Sequence, residues 1–182
     1  MNKEISSMRE DYKSGILSET DINDDPIIQF QEWLNEAVNA DLAEPNAMNL
    51  ATINHKMRPS SRVVLLKEVS SSGFIFYTNY HSRKAEEIKT NPFGALNFLW
   101  KEPERQVRIE GSISKISRDK SEEYFHSRPF KSQIGAISSN QSKVVKSRSV
   151  LEKRFEEYEK KYSDDNKVPM PKDWGGYLLK PD

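Results

Sequence analysis

The stretch SSRVVLLKEVSSSGFIFYTNYHSRKA, Ser60 to Ala85, decides how this chain is read. Val63 to Leu66 and Phe74 to Tyr77 are apolar runs rich in β-branched and aromatic residues, with Ser70-Ser71-Ser72-Gly73 between them. That spacing predicts two strands joined as a hairpin by a tight turn. Ser82 then offers a helix N-cap, and the helix it opens runs through Ala85 and Ile88 and stops before Pro92. Arg62 and Lys67 are five apart, so strict alternation puts them on opposite faces unless a bulge intervenes or Lys67 lies past the strand end. Arg83 and Lys84 fall in the first helical turn, where the helix dipole disfavours each positive charge by roughly 0.3–1 kcal/mol. An anion bound at that terminus reverses the sign, because free backbone N–H groups and both cations then face it. Two solvated charges on a surface helix are the other reading, and the spacing alone leaves both open.

The rest of the chain is consistent with one domain, residues 25–182, preceded by a polar, mobile N-terminal arm, residues 1–24. Asp25-Pro26 opens a helix with Phe30, Trp33, Leu34 and Ala37 at helical spacing. Period-two patterning then marks strands at Met48 to Ile53, Ala95 to Trp100 and Arg105 to Ile116, the last with Gly111 as an expected bulge. In that strand Gln106, Arg108 and Glu110 share a polar face. A helix from about Arg118 to His126 puts Tyr124 and Arg128 four residues apart, with Ser132 close behind. Arginine, tyrosine and serine together suit a phosphate monoester, a fixed charge plus hydroxyl donors; an ordinary helix end with Tyr124 packed is the alternative. A short helical turn at Gln133 to Ile137, an amphipathic helix carrying Val150, Leu151, Phe155 and Tyr158, and a last strand from Trp174 complete the pattern.

Composition narrows the function classes. Lys+Arg 28 balances Asp+Glu 28, so no global field recruits nucleic acid or an anionic membrane. The Ser/Lys-rich loop at 138–149 lacks the aromatic interleaving of an RNA binder. Cysteine is absent, which excludes disulfide and thiol chemistry and fits a reducing cytoplasm. His55, His81 and His126 are far apart, so no zinc site is expected. No apolar run approaches the ~20 residues that span a bilayer. With 35% hydrophobic and 31% charged residues, the small core is expected to be supplemented by burial between subunits.

RVVLLK (62–67), FYTN (76–79), SRKA (82–85), ERQVRIEG (104–111), YFHSRP (124–129), SQIGA (132–136) and Gln141-Ser142 together resemble the pyridoxine/pyridoxamine 5′-phosphate oxidase family. The resemblance implies an α+β, mainly β fold: an antiparallel FMN-binding split β-barrel with peripheral helices. It implies a cytoplasmic homodimer with FMN at the interface, oxidising pyridoxine 5′-phosphate or pyridoxamine 5′-phosphate to pyridoxal 5′-phosphate with O2. The flavin contacts it implies are Arg62, Val63, Val64, Leu65, Leu66 and Lys67, then Tyr77, Thr78, Arg83, Lys84, Gln106, Gln141 and Ser142. Arg83 and Lys84 take the FMN phosphate, and Gln106 can both donate and accept at the ring edge. The substrate contacts it implies are Lys67, Tyr124, Arg128 and Ser132, with Arg9 and Tyr12 from the arm acting as a lid. The family continues past this point with roughly one more hairpin, which carries a Trp and an Arg for FMN and an Arg-x-His pair for the substrate; none follows Tyr177 here. A competing expectation rests on that difference: an FMN- or pyridoxal-phosphate-binding split barrel with impaired turnover.

Overall fold

Helix α1 (Pro26–Asn39) starts where its capping chemistry places it. The Asp25 carboxylate accepts from the amides of Ile27 and Ile28, and Pro26 occupies the first turn, where its missing N–H is not needed. The computed structural model describes residues 4–8, 11, 13, 16–163 and 167–182. Arg9 and Tyr12 lie outside the described residues. The described part of the arm carries two single 3-10 turns, Ile5–Ser7 and Glu19–Asp21, and buries no side chain.

After α1 come strands β1 (Ala47–Ile53), β2 (Pro59–Leu65), β3 (Glu68–Ser70) and β4 (Gly73–Asn79), then helix α2 (Arg83–Thr90). Strands β5 (Phe93–Trp100) and β6 (Arg105–Lys115) follow, then helices α3 (Arg118–Ser127), α4 (Phe130–Ser138) and α5 (Arg148–Tyr162), and the final strand β7 (Trp174–Pro181). Among the described residues seven strands form one antiparallel sheet in the order β2-β1-β5-β6-β7-β4-β3. Its two edge strands, β2 and β3, are separated in sequence only by Leu66 and Lys67. A flat sheet of this width would hold its edges roughly 29 Å apart at ~4.8 Å per strand. Two linking residues reach only about 11 Å. The sheet must therefore curl until its edges meet, giving a barrel open along one seam. The link residues pair to opposite sides of that seam: Leu66 N donates to Asn46 O at 2.8 Å and Lys67 N to Ile75 O at 2.9 Å.

Two expectations are corrected here. The run Val63 to Leu66 does not form a hairpin with Phe74 to Tyr77. Val63 to Leu65 belong to β2, which pairs with β1, and the tight turn is closed by the three-residue β3 against β4 with Ser70 opposite Gly73. A turn with only Ser71 and Ser72 between paired residues can join only the residues immediately before it, so the earlier apolar run is free to cross to the other edge. Lys67 lies past the end of β2, which removes the same-strand conflict with Arg62. Gly111 is not a bulge: the β5–β6 register runs without a skip from Phe93↔Ser112 to Trp100↔Arg105. Its hydrogen is required because a Cβ there would sit 2.0 Å from the carbonyl oxygen of Lys180 on the neighbouring β7.

The barrel interior is aromatic. Phe30 of α1 plugs one end, 4.9 Å from the rings of Phe74 and Phe98 and 5.8 Å from Trp100. Trp33, at the rim of this core, carries the Arg105 guanidinium over its ring at 5.0 Å. A second, smaller core of Phe125, Ile134, Val168, Met170 and Trp174 fastens α3 and α4 beside β7. No helix among the described residues is long and apolar enough to cross a membrane.

Candidate active site in the barrel seam

Because β3 is only three residues long and covers β4 only as far as Ile75, Phe76 to Asn79 have no strand neighbour on that side. A cleft of about 420 Å3 opens there. Its walls are Val63, Val64, Leu65 and Lys67 on one side, Tyr77, Thr78 and Lys84 on the other, and Tyr124, Arg128, Ser132, Gln141 and Trp174 beyond them. Among the described residues three cations line it and no carboxylate does. In a partly dry cleft this imbalance selects anions.

One cationic station is built around Lys84. The Ser82 hydroxyl accepts from Ala85 N at 3.4 Å and starts α2 immediately after β4, which aims the Lys84 side chain back at Thr78. Its Nζ donates to Thr78 Oγ1 at 3.2 Å and to Gln141 Oε1 at 3.0 Å, and Thr78 Oγ1 donates to the same Gln141 oxygen at 2.7 Å. The residue is 8% exposed, and no carboxylate pairs with it among the described residues. Burial, helped by the Arg62 charge, pulls its amine down to about 8. It is a buried cation held only by neutral oxygens.

The other station sits where α3 gives way to α4. Arg128 closes α3, and its guanidinium lies 4.9 Å over the Trp174 ring and 5.8 Å from that of Phe125. Its Nη1 is buried with no hydrogen-bond partner among the described residues. A desolvated guanidinium nitrogen of this kind is costly unless something outside the chain accepts from it. Tyr124 and Tyr77 stack at 3.9 Å between centroids, and Tyr77 also stacks on Trp174 at 5.4 Å. Burial raises both phenols, Tyr77 to about 12 with Glu68 and Tyr124 adding to it, and Arg128 works against the rise at Tyr124. Both hydroxyls therefore stay protonated and remain donors at neutral pH.

Arg62 and Arg83, both expected at the cofactor, do not line this cleft. Arg62 Nη1 donates to Leu50 O and Thr52 Oγ1, and its Nη2 donates to Ser60 Oγ and Glu87 Oε2. Arg83 donates from Nε to Glu87 Oε1 at 2.9 Å. Burial alone would raise the Glu87 carboxyl, but hydrogen bonds from Ser60, Thr52, Arg83 and Arg62 bring it down to about 2. Arg83 and Ser142 instead line an adjoining depression of about 500 Å3 with His55 and His81. Leu66 is buried in the barrel core, and Gln106 is exposed on the outer face of β6, bonded to Asn97 at 2.9 Å. Two residues of the site were missed in the sequence. Trp174 reads there only as the start of a strand, and nothing local shows that β7 brings it beside Arg128. Glu87 carried a signal, its i,i+4 spacing from Arg83. Among the described residues no cluster of three or more metal-ligating side chains occurs.

Residues 34–162 match the family model described as Pyridoxamine 5′-phosphate oxidase. The chain belongs to the pyridoxamine 5′-phosphate oxidase family. It is 51% identical over 181 residues to a pyridoxine/pyridoxamine 5′-phosphate oxidase of Cytophaga hutchinsonii, covering 100% of this chain and 84% of that protein. A chloroplastic pyridoxine/pyridoxamine 5′-phosphate oxidase of Arabidopsis thaliana is 51% identical over 178 residues, 98% of this chain and 34% of that one. Among solved structures, PhzG from Burkholderia lata, crystallised with tetrahydrophenazine-1-carboxylic acid, superposes with a TM-score of 0.84. It is 27% identical and covers 91% of this chain and 82% of its own. The α+β split-barrel architecture is thus that of the family.

Proposed function

We propose that this chain oxidises pyridoxine 5′-phosphate and pyridoxamine 5′-phosphate to pyridoxal 5′-phosphate, with FMN as cofactor and O2 as electron acceptor. One observation carries the reading: a cleft that no carboxylate lines among the described residues holds two separate anion stations, Lys84 with Thr78 and Gln141, and Arg128 with Tyr124 and Ser132. Two phosphate monoesters, one on the cofactor and one on the substrate, need such a pair. When bound, FMN supplies the two-electron oxidation of the substrate carbon and its own reoxidation by oxygen.

The residues present fit both ligands. Lys84 offers the cofactor phosphate a cation that is already desolvated, so little further desolvation opposes binding. Arg128 offers the substrate phosphate its unpartnered Nη1, with Tyr124 and Ser132 as hydroxyl donors. The edge of β2 that is not paired with β1 faces the seam through Val63 to Leu65 and can present backbone groups to a flat ring. Lys67, at the seam itself, lines the same cleft. The stacked Tyr77, Tyr124 and Trp174 exclude water from the far wall.

The working unit is a homodimer with FMN at its interface. Val63 and Leu99 are 69% and 68% exposed on the outer face of the sheet, and Gln106 stands opposite Leu99 in the β5–β6 register. Gln106 does not line its own chain's cleft, so the ring-edge contact expected of it can be made only to a second subunit's flavin. The test is aerobic formation of pyridoxal 5′-phosphate by this chain with saturating FMN, comparing pyridoxine 5′-phosphate with unphosphorylated pyridoxine. Turnover well above free flavin, and only with the phosphorylated substrate, is expected. Folded, FMN-loaded protein that gives no turnover would refute the oxidase reading.

A further inference from the structure

An anion site does not obviously need a carboxylate, yet one is buried behind this one. Glu87 is 5% exposed and lies one turn into α2. Its Oε2 accepts from Thr52 Oγ1 of β1 at 2.5 Å, from Ser60 Oγ of β2 at 2.6 Å and from Arg62 Nη2 at 3.2 Å. Its Oε1 accepts from Arg83 Nε at 2.9 Å. One carboxylate thus ties two strands of the barrel to the first turn of the helix that carries Lys84. It is also the only acid hydrogen-bonded to Arg62 or Arg83 among the described residues.

The consequences for the two arginines differ. Arg62 spends both terminal nitrogens inside this network, on Leu50 O, Thr52, Ser60 and Glu87, so it bears on a ligand chiefly through its charge. Arg83 is engaged only at Nε, its side chain is 63% exposed, and its two Nη nitrogens hold no partner among the described residues. The Glu87 bond therefore fixes the stem of the Arg83 fork and leaves the prongs free. Without the carboxylate, Arg62, Arg83 and Lys84 would crowd one helix end with nothing to offset their repulsion; the pull of Arg62 on the Lys84 amine already registers that repulsion.

We propose that Glu87 is a positioning residue of the cofactor-phosphate site, a carboxylate that sets Arg62 and Arg83 in place and balances their charge so that the three cations can receive one phosphate. This rests on the flavin reading above. Its effect must therefore depend on the ligand's phosphate and not on the isoalloxazine ring.

Riboflavin, which has the ring without the phosphate, separates the two. The apo-protein and Glu87→Gln are titrated with FMN and with riboflavin, following the quenching of flavin fluorescence, and folding of the variant is checked by its thermal transition. FMN affinity is expected to fall about tenfold or more while riboflavin affinity moves by less than about twofold. A parallel loss of both affinities would mean that Glu87 only supports the fold, and an unchanged FMN preference in folded protein would equally overturn the proposal. Where Glu87→Gln fails to fold, Ser60→Ala decides. It removes one donor to the carboxylate without stranding a charge, and a drop of about threefold in the FMN-over-riboflavin ratio is expected. No drop overturns the proposal. A parent protein that does not prefer FMN to riboflavin would refute the flavin-phosphate reading itself, which keeps the two failures apart.

Discussion

Replacing Lys84 with methionine should make the protein more stable and worse at binding its cofactor. The amine is held at about 8 against an ordinary 10.5, chiefly by burial and secondly by Arg62. That displacement corresponds to about 3 kcal/mol of destabilisation carried by the folded apo-protein. Methionine keeps the length and apolar stem of the side chain and discards the charge. What is lost is the pair of hydrogen bonds from Nζ to Thr78 and Gln141, worth about 2 kcal/mol together; Gln141 Oε1 still accepts from Thr78. The net is a gain of about 1 kcal/mol, or roughly 2–4 °C in the melting temperature of a domain this size. Removing a charge-assisted hydrogen bond to a phosphate should cost about 2 kcal/mol in FMN binding, roughly thirtyfold in Kd. The assay is a thermal melt of the two apo-proteins at pH 7 with a flavin titration of each. The sign of the pH dependence is fixed. Below pH 8 the amine is charged both folded and unfolded, so the penalty is carried in full. Between 8 and 10.5 the folded protein sheds its proton first, and the advantage of Lys84→Met should shrink there. A variant that melts lower than its parent at pH 7, or binds FMN equally well, would refute the assignment of Lys84 as a buried, unpaired cation kept for an anion.

The same amine predicts that FMN affinity of the parent is flat between about pH 7 and 8, above the second ionisation of the phosphate near pH 6, and falls by up to about tenfold per pH unit above that, while Lys84→Met shows no such break. Arg128→Met should raise KM for pyridoxine 5′-phosphate by about 10-fold or more, because a charge-assisted donor to the substrate phosphate disappears; equal KM values would place that phosphate elsewhere. Leu99→Glu should shift the protein toward monomers by light scattering and weaken FMN retention together, since both depend on the outer sheet face; dimers of unchanged stability would put the interface on another surface. Gly73→Ala should lower stability by about 2 kcal/mol or more. Gly73 has a φ of +128° and a Cβ there would meet Leu179 O at 2.1 Å, so an unchanged melting temperature would contradict the turn geometry.

Legibility in the sequence followed the range of the interaction. The Asp25 and Ser82 caps, the helix stop before Pro92 and the alternation of Gln106, Arg108 and Glu110 are set by neighbours a few residues away, and each stands where the sequence puts it. The family motifs named most of the cleft, and Val63, Lys67, Tyr77, Thr78, Lys84, Tyr124, Arg128, Ser132 and Gln141 do converge on it. What could not be read locally was which edge each strand joins. Residues 63–66 and 74–77 look like hairpin partners because propensity has no term for a sheet that curls. Gly111 looked like a bulge because a glycine's missing side chain can serve a distant strand as well as its own. Trp174 and Glu87 gained their roles from contacts spanning tens of residues: Trp174 with Arg128, and Glu87 with Thr52 and Ser60.

The two-residue passage from β2 to β3 also bears on how the site comes into being. Val63 to Lys67 and Tyr77 are neighbours along the chain, yet β2 and β4 face one another only after β1, β5, β6 and β7 have been laid between them. Since β7 lies far downstream of β4 and pairs with both β4 and β6, a growing chain has residues 62–84 in hand long before the cleft they line can close. Loop-closure entropy for that late pairing is met in a single step, which makes ring closure slow relative to the local helices and hairpins. On the flavin reading proposed above, a lesion that weakens β7 should be seen first as lost flavin.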